Sequence, residues 1–327
     1  MKYNLEIMIK RSAVLVSVFF TLLLCTEKSF AQDPHFTQFY ANPIYLNPAF
    51  AGSHRCPRLC FNYRNQWPNI SGTFVSTTFS FDMRVDAISG GIGLQFLNDD
   101  AGQGTMSITG FSGMYAYQLA ITREFSMAFG FEATLRQKKL DWSKLNFGDM
   151  IDPRYGFIYN TNEVANRQVV SYPDFSAGVL GFSKRFYAGF AVFHLTQPEE
   201  GFLFTGSPLP MKYTGHAGAV IPLDGRYGQS TISPNIIYQQ QQDFRELNLG
   251  VYITKGPIVG GLWYRNADAV VALVGFQQDK IRMGYSYDIT ISKLGIVTAG
   301  SHEISLQLLF KCRGHRPKFR TVSCPSF

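Results

Sequence analysis

Residues 125–138 read FSMAFGFEATLRQK. The large apolar side chains of this stretch fall on the odd positions, from Phe125 to Leu135, while the even positions, from Ser126 to Lys138, carry small, polar or charged residues. Successive side chains of a β-strand point to opposite faces of the sheet. A period of two therefore predicts a strand with one apolar and one polar face.

The same alternation recurs along the rest of the chain, and no sustained helical period is visible. It predicts about fourteen strands, most of them joined by tight turns. Their expected positions are near 57–67, 72–85, 89–98, 103–119, 123–138, 174–184, 185–197, 213–222, 230–242, 244–254, 257–266, 269–277, 280–291 and 301–312. The long connections 139–172 and 198–212 follow the fifth and seventh strands, so both lie on one side, which is the exterior if the chain starts in the periplasm.

Two architectures satisfy this pattern, an all-β transmembrane antiparallel barrel and a secreted β-sandwich. The predicted polar faces are rich in Gly, Ser, Thr and Asn, which suits a barrel lumen. Aromatic residues make up 15% of the chain and recur near strand ends, as in interfacial girdles. The last predicted strand also ends on Phe310 after an alternating apolar set. These features favour the barrel; in the alternative, the apolar faces would pack against each other in a sandwich core.

The N-terminus has the pattern of an export signal. Lys2, Lys10 and Arg11 precede the apolar run 12–25, and the small residues Ser29 and Ala31 fit a cleavage site after Ala31. The run is short for a membrane anchor, and Leu24 before Cys25 does not suit lipoprotein processing. The sequence therefore predicts a cleaved signal peptide, residues 1–31, and an exported protein.

Composition excludes two further classes of protein. The predicted signal peptide carries four basic and two acidic residues, so its removal lowers the formal charge from +7 to about +5. This surplus includes no Lys/Arg run, so a nucleic-acid partner is not expected. No later stretch approaches eighteen consecutive apolar residues, so a helical membrane protein is not expected either.

The segment before the first predicted strand, residues 32–55, carries an unusual apolar load. Asn42-Pro43 and Asn47-Pro48 restrict the backbone, and a solvated tail would not usually contain so many aromatic residues. We therefore expect this segment to pack in or under the barrel as a plug, or else to dock on a partner. The residues expected to form this plug or partner segment are Phe36, Phe39, Tyr40, Asn42, Pro43, Asn47 and Pro48.

Four cysteines follow the predicted cleavage site: Cys56, Cys60, Cys312 and Cys324. An even count in an exported protein predicts disulfides, and the spacings are poor for zinc. In a closed barrel with an even number of strands, the first strand pairs with the last. We therefore predict two bridges between the N-terminal and C-terminal pairs; the alternative is Cys56–Cys60 together with Cys312–Cys324.

No catalytic, cofactor or metal site is predicted. His35, His194, His216, His302 and His315 lie at no metal-binding spacing from one another or from cysteine, and no Gly-x-Ser-x-Gly elbow is present. The acidic pairs at 99–100 and 199–200 fall in predicted turns or loops, where such pairs are usually solvated. The sequence is interpreted as that of a non-enzyme.

Several short segments, in their joint order, resemble the PorP/SprF family of outer-membrane proteins of the Bacteroidota type IX secretion and gliding machinery. The first are QDPHFTQFYANP at 32–43, LNPAFAG at 46–52, and the barrel motif Tyr63, Arg64, Asn65, Gln66, Trp67 followed by Pro68. Later segments are PDFS at 173–176, HLTQP at 194–198, SPN at 233–235, GLWYR at 261–265, GYSYD at 284–288 and GSHEISL at 300–306.

This resemblance implies an outer-membrane component that supports secretion or surface attachment of proteins with a type IX C-terminal sorting domain, such as adhesins. It also implies contact with periplasmic ring or motor components and with outer-membrane lipid. The expected organisation is a signal peptide 1–31, a plug segment 32–55, a barrel 56–312 and a periplasmic tail 313–327, in a Gram-negative outer membrane. The alternative function is a general porin for small solutes.

Overall fold

The structure of the chain, a computed structural model, describes residues 33–70, 72–162, 167–202, 206–223, 230–291 and 299–311. It is built almost entirely from β-strands. Fourteen of them are long: β1 (Arg58–Gln66), β2 (Phe74–Val85), β3 (Gly90–Ala101), β4 (Met106–Ala120), β5 (Phe125–Leu140), β8 (Val169–Ser183), β9 (Phe186–Phe193), β10 (Lys212–Ala219), β12 (Ser230–Gln241), β13 (Phe244–Lys255), β14 (Ile258–Arg265), β15 (Ala269–Gln278), β16 (Ile281–Thr290) and β17 (Ser301–Leu309). Three two-residue strands complete the set: β6 (Ile151–Asp152), β7 (Gly156–Phe157) and β11 (Ile221–Pro222).

The fourteen long strands form a closed antiparallel barrel. Each pairs with the next long strand along the chain, and β10 pairs with β12 across the connection that contains β11. The barrel closes where β1 pairs with β17, in a register that sets Arg58 opposite Leu309 and Gln66 opposite Ser301. This seam leaves neither the first nor the last strand with an open edge. The predicted strand number and antiparallel topology are confirmed.

The direction of the apolar faces decides between barrel and sandwich. Phe129 and Leu135 on β5 are 47% and 66% exposed, whereas Glu132 and Thr134 on the same strand are buried. Large apolar residues therefore cover the outer surface, and polar residues line the interior. A sandwich would bury the apolar face instead. An apolar exterior around a polar lumen is the arrangement of a barrel in a bilayer.

The connections divide unequally between the two ends of the barrel. When the fourteen long strands are counted in chain order, the first, third, fifth and every second one after them run toward the same end. That end carries the long connections 141–168 and 194–211. The opposite end has short turns, such as 184–185 and 279–280, and receives both the segment before β1 and the end of β17. The connection expected at 139–172 is shorter because β8 begins at Val169, and it contains the β6–β7 hairpin.

Short helical turns shape the segment before β1. The helix α1 (Pro43–Leu46) and a 3₁₀ turn (Pro48–Phe50) each begin with a proline at a first-turn position, where the missing N–H costs no helical hydrogen bond. Asn47 caps the 3₁₀ turn, because its side chain accepts a hydrogen bond of 2.9 Å from the Ala49 N–H. In the part of the chain that the structure describes, no helix has the length and apolar content to cross a membrane.

Candidate functional site

The N-terminal segment 34–53 lies inside the barrel, against the polar inner wall. Its apolar side chains are buried, and its two Asn-Pro steps are buried with them. We call this segment the plug. The plug-segment residues expected from the sequence, Phe36, Phe39, Tyr40, Asn42, Pro43, Asn47 and Pro48, are all buried in it.

One end of the plug is held by a carboxylate of the last strand. Glu303 accepts hydrogen bonds from the backbone N–H groups of Thr37, at 2.6 Å, and Gln38, at 3.1 Å. The Gln38 side chain donates to the Ser286 hydroxyl at 3.2 Å and to the backbone oxygen of Glu303 at 3.0 Å. Ser305 also donates to the Gln38 side-chain oxygen. Both N–H groups of this turn of the plug therefore have a charged acceptor on the wall.

Two arginines and two acids surround Thr37. Its hydroxyl donates to Asp288 at 2.8 Å and accepts from Arg64 and from Arg265, the latter at 3.2 Å. Arg64 pairs with Asp288 at 2.8 Å and with Glu303 at 3.4 Å. Arg265 pairs with Asp288 at 3.4 Å, and its Nε lies 3.7 Å from Glu246. We call Thr37, Arg64, Arg265, Asp288 and Glu303 the latch.

The latch residues come from four separate strands and from the plug. Burying a charge is unfavourable unless it is paired and hydrogen-bonded, so the charges stabilise this site only as a complete set. The plug supplies part of that set, since the backbone of Thr37 and Gln38 completes the coordination of Glu303. The arrangement can therefore hold the plug in one position and can release it without breaking any covalent bond.

The two asparagines of the Asn-Pro steps bind the wall farther along the plug. Asn42 donates to the Thr78 hydroxyl at 3.1 Å and accepts from the Ser80 hydroxyl at 2.8 Å. Asn47 donates to the backbone oxygen of Val179 at 3.1 Å and lies 3.2 Å from the His216 ring nitrogen. Asn42 thus joins one bend of the plug to β2, and Asn47 joins a second bend to β8 and β10.

Aromatic contacts fill the space between these polar anchors. Phe39 packs on Trp263 with ring centroids 5.2 Å apart, and Tyr40 meets Tyr187 edge to face at 5.6 Å. Phe50 stacks on the His216 ring at 5.2 Å. Aromatic pairs of this kind contribute about 0.5–1.5 kcal/mol beyond the burial of their surface.

Glycines on the inner wall make room for the plug. A Cβ atom added to Gly130 would overlap the backbone of Pro48 and Ala49, and one added to Gly178 would overlap the Asn47 side chain. Gly91 meets the plug backbone at 51–52 in the same way. The wall is therefore shaped for a chain running through the lumen, rather than for water alone.

A second segment, the connection 194–211, packs its described residues against the inner wall at the end with the long connections, which also holds the latch. His194 lies 2.6 Å from Asp174, and both side chains are buried. Glu200 pairs with Lys138 at 3.2 Å, and Tyr172 donates to it at 3.3 Å. We call this connection the cap. Its inward fold was not predicted, because it carries no periodic signal.

The exposed connection 141–168 projects a second group of aromatic residues. Tyr155 and Phe157 are 71% and 60% exposed. The turn between them is ordered by Asp152, whose side chain accepts hydrogen bonds from the N–H groups of Arg154 and Tyr155. These bonds, with one from the Tyr159 hydroxyl, lower the pKa of Asp152 below its ordinary value.

The side chains of the barrel motif at 63–67 point to both faces of the barrel wall. Arg64 points inward and joins the latch, whereas Tyr63 and Asn65 alternate with it on the outer face. Gln66 is the last residue of β1, and Trp67 follows with a positive φ of 58° and packs edge to face on Phe74. Only Arg64 of this motif contacts the plug through the latch.

The prediction of two disulfide bridges was wrong. Cys60 is a free, buried cysteine, and the side-chain amide of Gln307 donates to its sulfur at 3.5 Å. It shares the inward direction of Asn62 and Arg64, so it faces the lumen. Each pairing scheme gives one bridge to Cys60, so neither scheme holds with both of its bridges. Cys312 and Cys324 lie outside the described residues.

The comparison of the whole chain with protein families decides its membership. The family described as "Type IX secretion system membrane protein PorP/SprF" matches residues 28–308. The chain belongs to the PorP/SprF family. The resemblance drawn from the short segments is thereby confirmed, and the fold and family are those of a secretion-system membrane protein rather than of an enzyme class. No group of metal-binding side chains occurs within the described ranges.

Solved barrel structures resemble this PorP/SprF protein only weakly. It has 10% identity and a TM-score of 0.44 to a Pseudomonas aeruginosa FadL homologue, covering 87% of this chain and 100% of that one. The P. putida toluene transporter TodX has 8% identity and a TM-score of 0.46, covering 82% of this chain and 93% of that one. Acinetobacter baumannii Omp33 has 7% identity and a TM-score of 0.45, covering 79% of this chain and 100% of that one. A search of curated protein sequences returns no significant match.

Sequence reasoning located the plug of this PorP/SprF protein but not the wall residues that hold it. Asp288 and Glu303 fall inside the family-like segments 284–288 and 300–306, and Arg265 ends the segment 261–265. The sequence does contain a signal for these three wall residues. Each is a charged residue at a position of a predicted strand whose side chain points to the polar face. Their convergence on Thr37 could not be predicted, because it depends on the closure of the barrel.

Proposed function

We propose that this PorP/SprF protein supports secretion or surface attachment of proteins that carry a type IX C-terminal sorting domain, such as adhesins. In this proposal it is exported with a signal peptide cleaved after Ala31 and sits in the outer membrane of a Gram-negative bacterium. The end where β1 begins and β17 ends faces the periplasm, where it meets ring or motor components. The tail 313–327, which lies outside the described residues, is assigned to the periplasm in this proposal.

The observation that carries the proposal is the occupied lumen. The plug runs through the lumen, the latch and both asparagines fix it to the wall, and the cap packs against the inner wall at the same end as the latch. A general porin needs a continuous water-filled path. The occupied lumen favours a barrel that binds proteins at its ends over a channel for small solutes.

The orientation assigns a separate role to each end. Long connections of outer-membrane barrels face outward. The connection 141–168 and the cap are then available to a secreted protein, and the exposed Tyr155 and Phe157 supply apolar contacts. The plug leaves the lumen at the periplasmic end, where Gly52 lies beside Asp82 and the following Arg55 is exposed, so a periplasmic component can reach the chain there.

Affinity purification from native outer membranes tests the proposal directly. We expect a protein with a type IX sorting domain and a periplasmic ring or motor component to co-purify. Deleting residues 32–50 should abolish export of the co-purifying cargo, while the paired substitution Lys255→Glu with Lys280→Glu, in turns outside the plug, should leave it intact. Normal export by a deletion variant present at normal levels would refute the role of the plug.

Planar-bilayer conductance separates this function from that of a porin. The purified protein should show no steady open channel, because plug and cap obstruct the lumen. A stable conductance in the unaltered protein, with no co-purifying cargo, would favour the porin instead.

A further inference from the structure

An apolar groove lies on the outer surface of the barrel. It lies across β8, β9, β10 and β12, near the end with the short turns, and has a volume of about 740 Å³. That is within the range of roughly 300–1,000 Å³ typical of pockets for small organic ligands. Its central lining residues are Gly181, Ala188, Ala217, Ala219 and Ile236.

The strand register creates the groove. Gly181 lies opposite Ala188, and Ala188 lies opposite Ala217, so three neighbouring strands place small residues side by side. Phe125 and Phe186 form the rim nearer the turns. Most outward positions elsewhere on the described strands carry large apolar side chains, so this row of small residues forms a local depression.

The position of the groove limits what can occupy it. The outward face of a barrel strand meets the hydrocarbon of the bilayer. The groove is lined mainly by carbon, so its occupant must itself be apolar along most of its length. An alkyl chain fits this description and gains about 0.8 kcal/mol for each CH₂ buried.

The rim next to the groove is positively charged. The β8–β9 turn carries Lys184 and Arg185, both exposed, directly between the lining residues Ser183 and Phe186. The Ser183 hydroxyl accepts a hydrogen bond of 3.1 Å from the Phe186 N–H, which fixes the turn. The neighbouring β4–β5 turn adds Arg123 and one acid, Glu124. Basic side chains at the end of an apolar groove match an anionic headgroup attached to alkyl chains.

We propose that the groove is a specific site for one phospholipid of the periplasmic leaflet. Its acyl chains lie across Ala188, Ala217 and Ile236, beside the Phe125 ring that covers Gly181, and its phosphate is bound by Lys184 and Arg185. The charge of the adjacent turn favours a phospholipid over a membrane segment of a partner protein. The inference does not depend on which cargo the barrel serves.

Native mass spectrometry of the detergent-purified full chain tests this site, with palmitoyl-oleoyl-phosphatidylglycerol as the probe. One lipid per barrel should be retained, and the diacylglycerol with the same chains should not. Ala188→Phe fills the groove and should abolish retention. Replacing both Lys184 and Arg185 by Glu should weaken it roughly tenfold or more.

Matched controls separate the groove from general membrane contact. Ala272→Phe places the same side chain at an exposed outward alanine on β15, outside the groove. Lys255→Glu with Lys280→Glu makes the same charge change at two other turns on the same end. Both controls should retain the lipid, and heat-modifiable gel migration checks that each variant folds.

Three results would overturn the proposal. The first is retention of no phospholipid by the unaltered protein, and the second is equal retention by the Ala188→Phe and Ala272→Phe variants. The third is a second copy or another membrane protein that co-purifies with the barrel and is lost with Ala188→Phe, because the groove would then be a protein interface.

Discussion

The carboxylate of Glu303 on the last strand accepts a 2.6 Å hydrogen bond from the backbone N–H of Thr37, 266 residues earlier in the chain. This bond joins the plug to the barrel beside the seam, because Glu303 lies opposite Arg64 in the β1–β17 pairing. The plug and the closure of the barrel are therefore held by the same group of side chains.

Glu303→Gln should loosen the latch. The amide keeps the shape of the side chain but removes the charge that faces Arg64 and the two plug N–H groups, at a cost of about 1–3 kcal/mol. Hydrogen exchange of peptides covering 33–50 should then accelerate roughly tenfold or more. Glu124→Gln, in an exposed turn, is the matched control, and equal exchange in the two variants would contradict the role of the latch.

Gly130→Val should expel the plug without preventing barrel formation. A side chain there would overlap the backbone of Pro48 and Ala49, whereas the strand itself tolerates valine. The variant should become sensitive to proteolysis within 34–53. Gly113→Val on β4 is the control, because nothing lies within 4 Å of its added Cβ. A protected plug in the Gly130 variant would show that the wall does not need this glycine.

His194→Ala should release the cap. The substitution removes the partner 2.6 Å from the buried Asp174 and leaves Arg136, at 3.6 Å, as its remaining ion-pair partner among the described residues. We expect a cost of about 1–3 kcal/mol and faster proteolysis of 194–211 from outside intact cells. His302→Ala removes a ring on the outer face that contacts Tyr285 and should have no such effect. Equal proteolysis of the two variants would contradict a structural role for His194.

We expect Cys56 to form a disulfide with Cys312 or Cys324, and Cys60 to remain a thiol. Arg58 lies opposite Leu309, and the Phe310 N–H donates to the Pro57 oxygen at 2.9 Å, so the chain approaches Cys56 just before it reaches Cys312. Non-reducing peptide mapping should find this bridge. A Cys56–Cys60 bridge would refute it.

The bridge of Cys56 should also stabilise the folded barrel. Closing a loop of some 250 residues should stabilise the barrel by about 5 kcal/mol in the chain-entropy model. Cys56→Ser should therefore lower the unfolding temperature, and Cys60→Ser should not. Equal effects of the two substitutions would contradict the assignment.

The barrel could be predicted because its evidence is local. The alternation from Phe125 to Lys138 appears within a single strand and needs no knowledge of distant residues. The sides of the two long connections followed from counting strands. The outward direction of the apolar faces could only be favoured, since a sandwich has the same period.

The site could be predicted only on the plug side. The aromatic residues and Asn-Pro steps of 32–50 predicted a packed segment. The acceptors of its hydrogen bonds could not be predicted, because they belong to strands far away in the sequence. Cys60 shows the same difficulty at the seam. The pairing of the first strand with the last suggested a bridge from Cys60 to a C-terminal cysteine. Cys60 and Arg64 are an even number of residues apart on β1, so the Cys60 sulfur points into the lumen as Arg64 does.

The latch also constrains the order of assembly. Arg64 belongs to the first strand, Glu303 belongs to the last, and the plug contacts both. A partly synthesised or unclosed barrel cannot complete this set of charges, and late, long-range contacts are slow to form. The contacts of residues 36–38 in the latch can therefore form completely only after the barrel has received its final strand in the correct register.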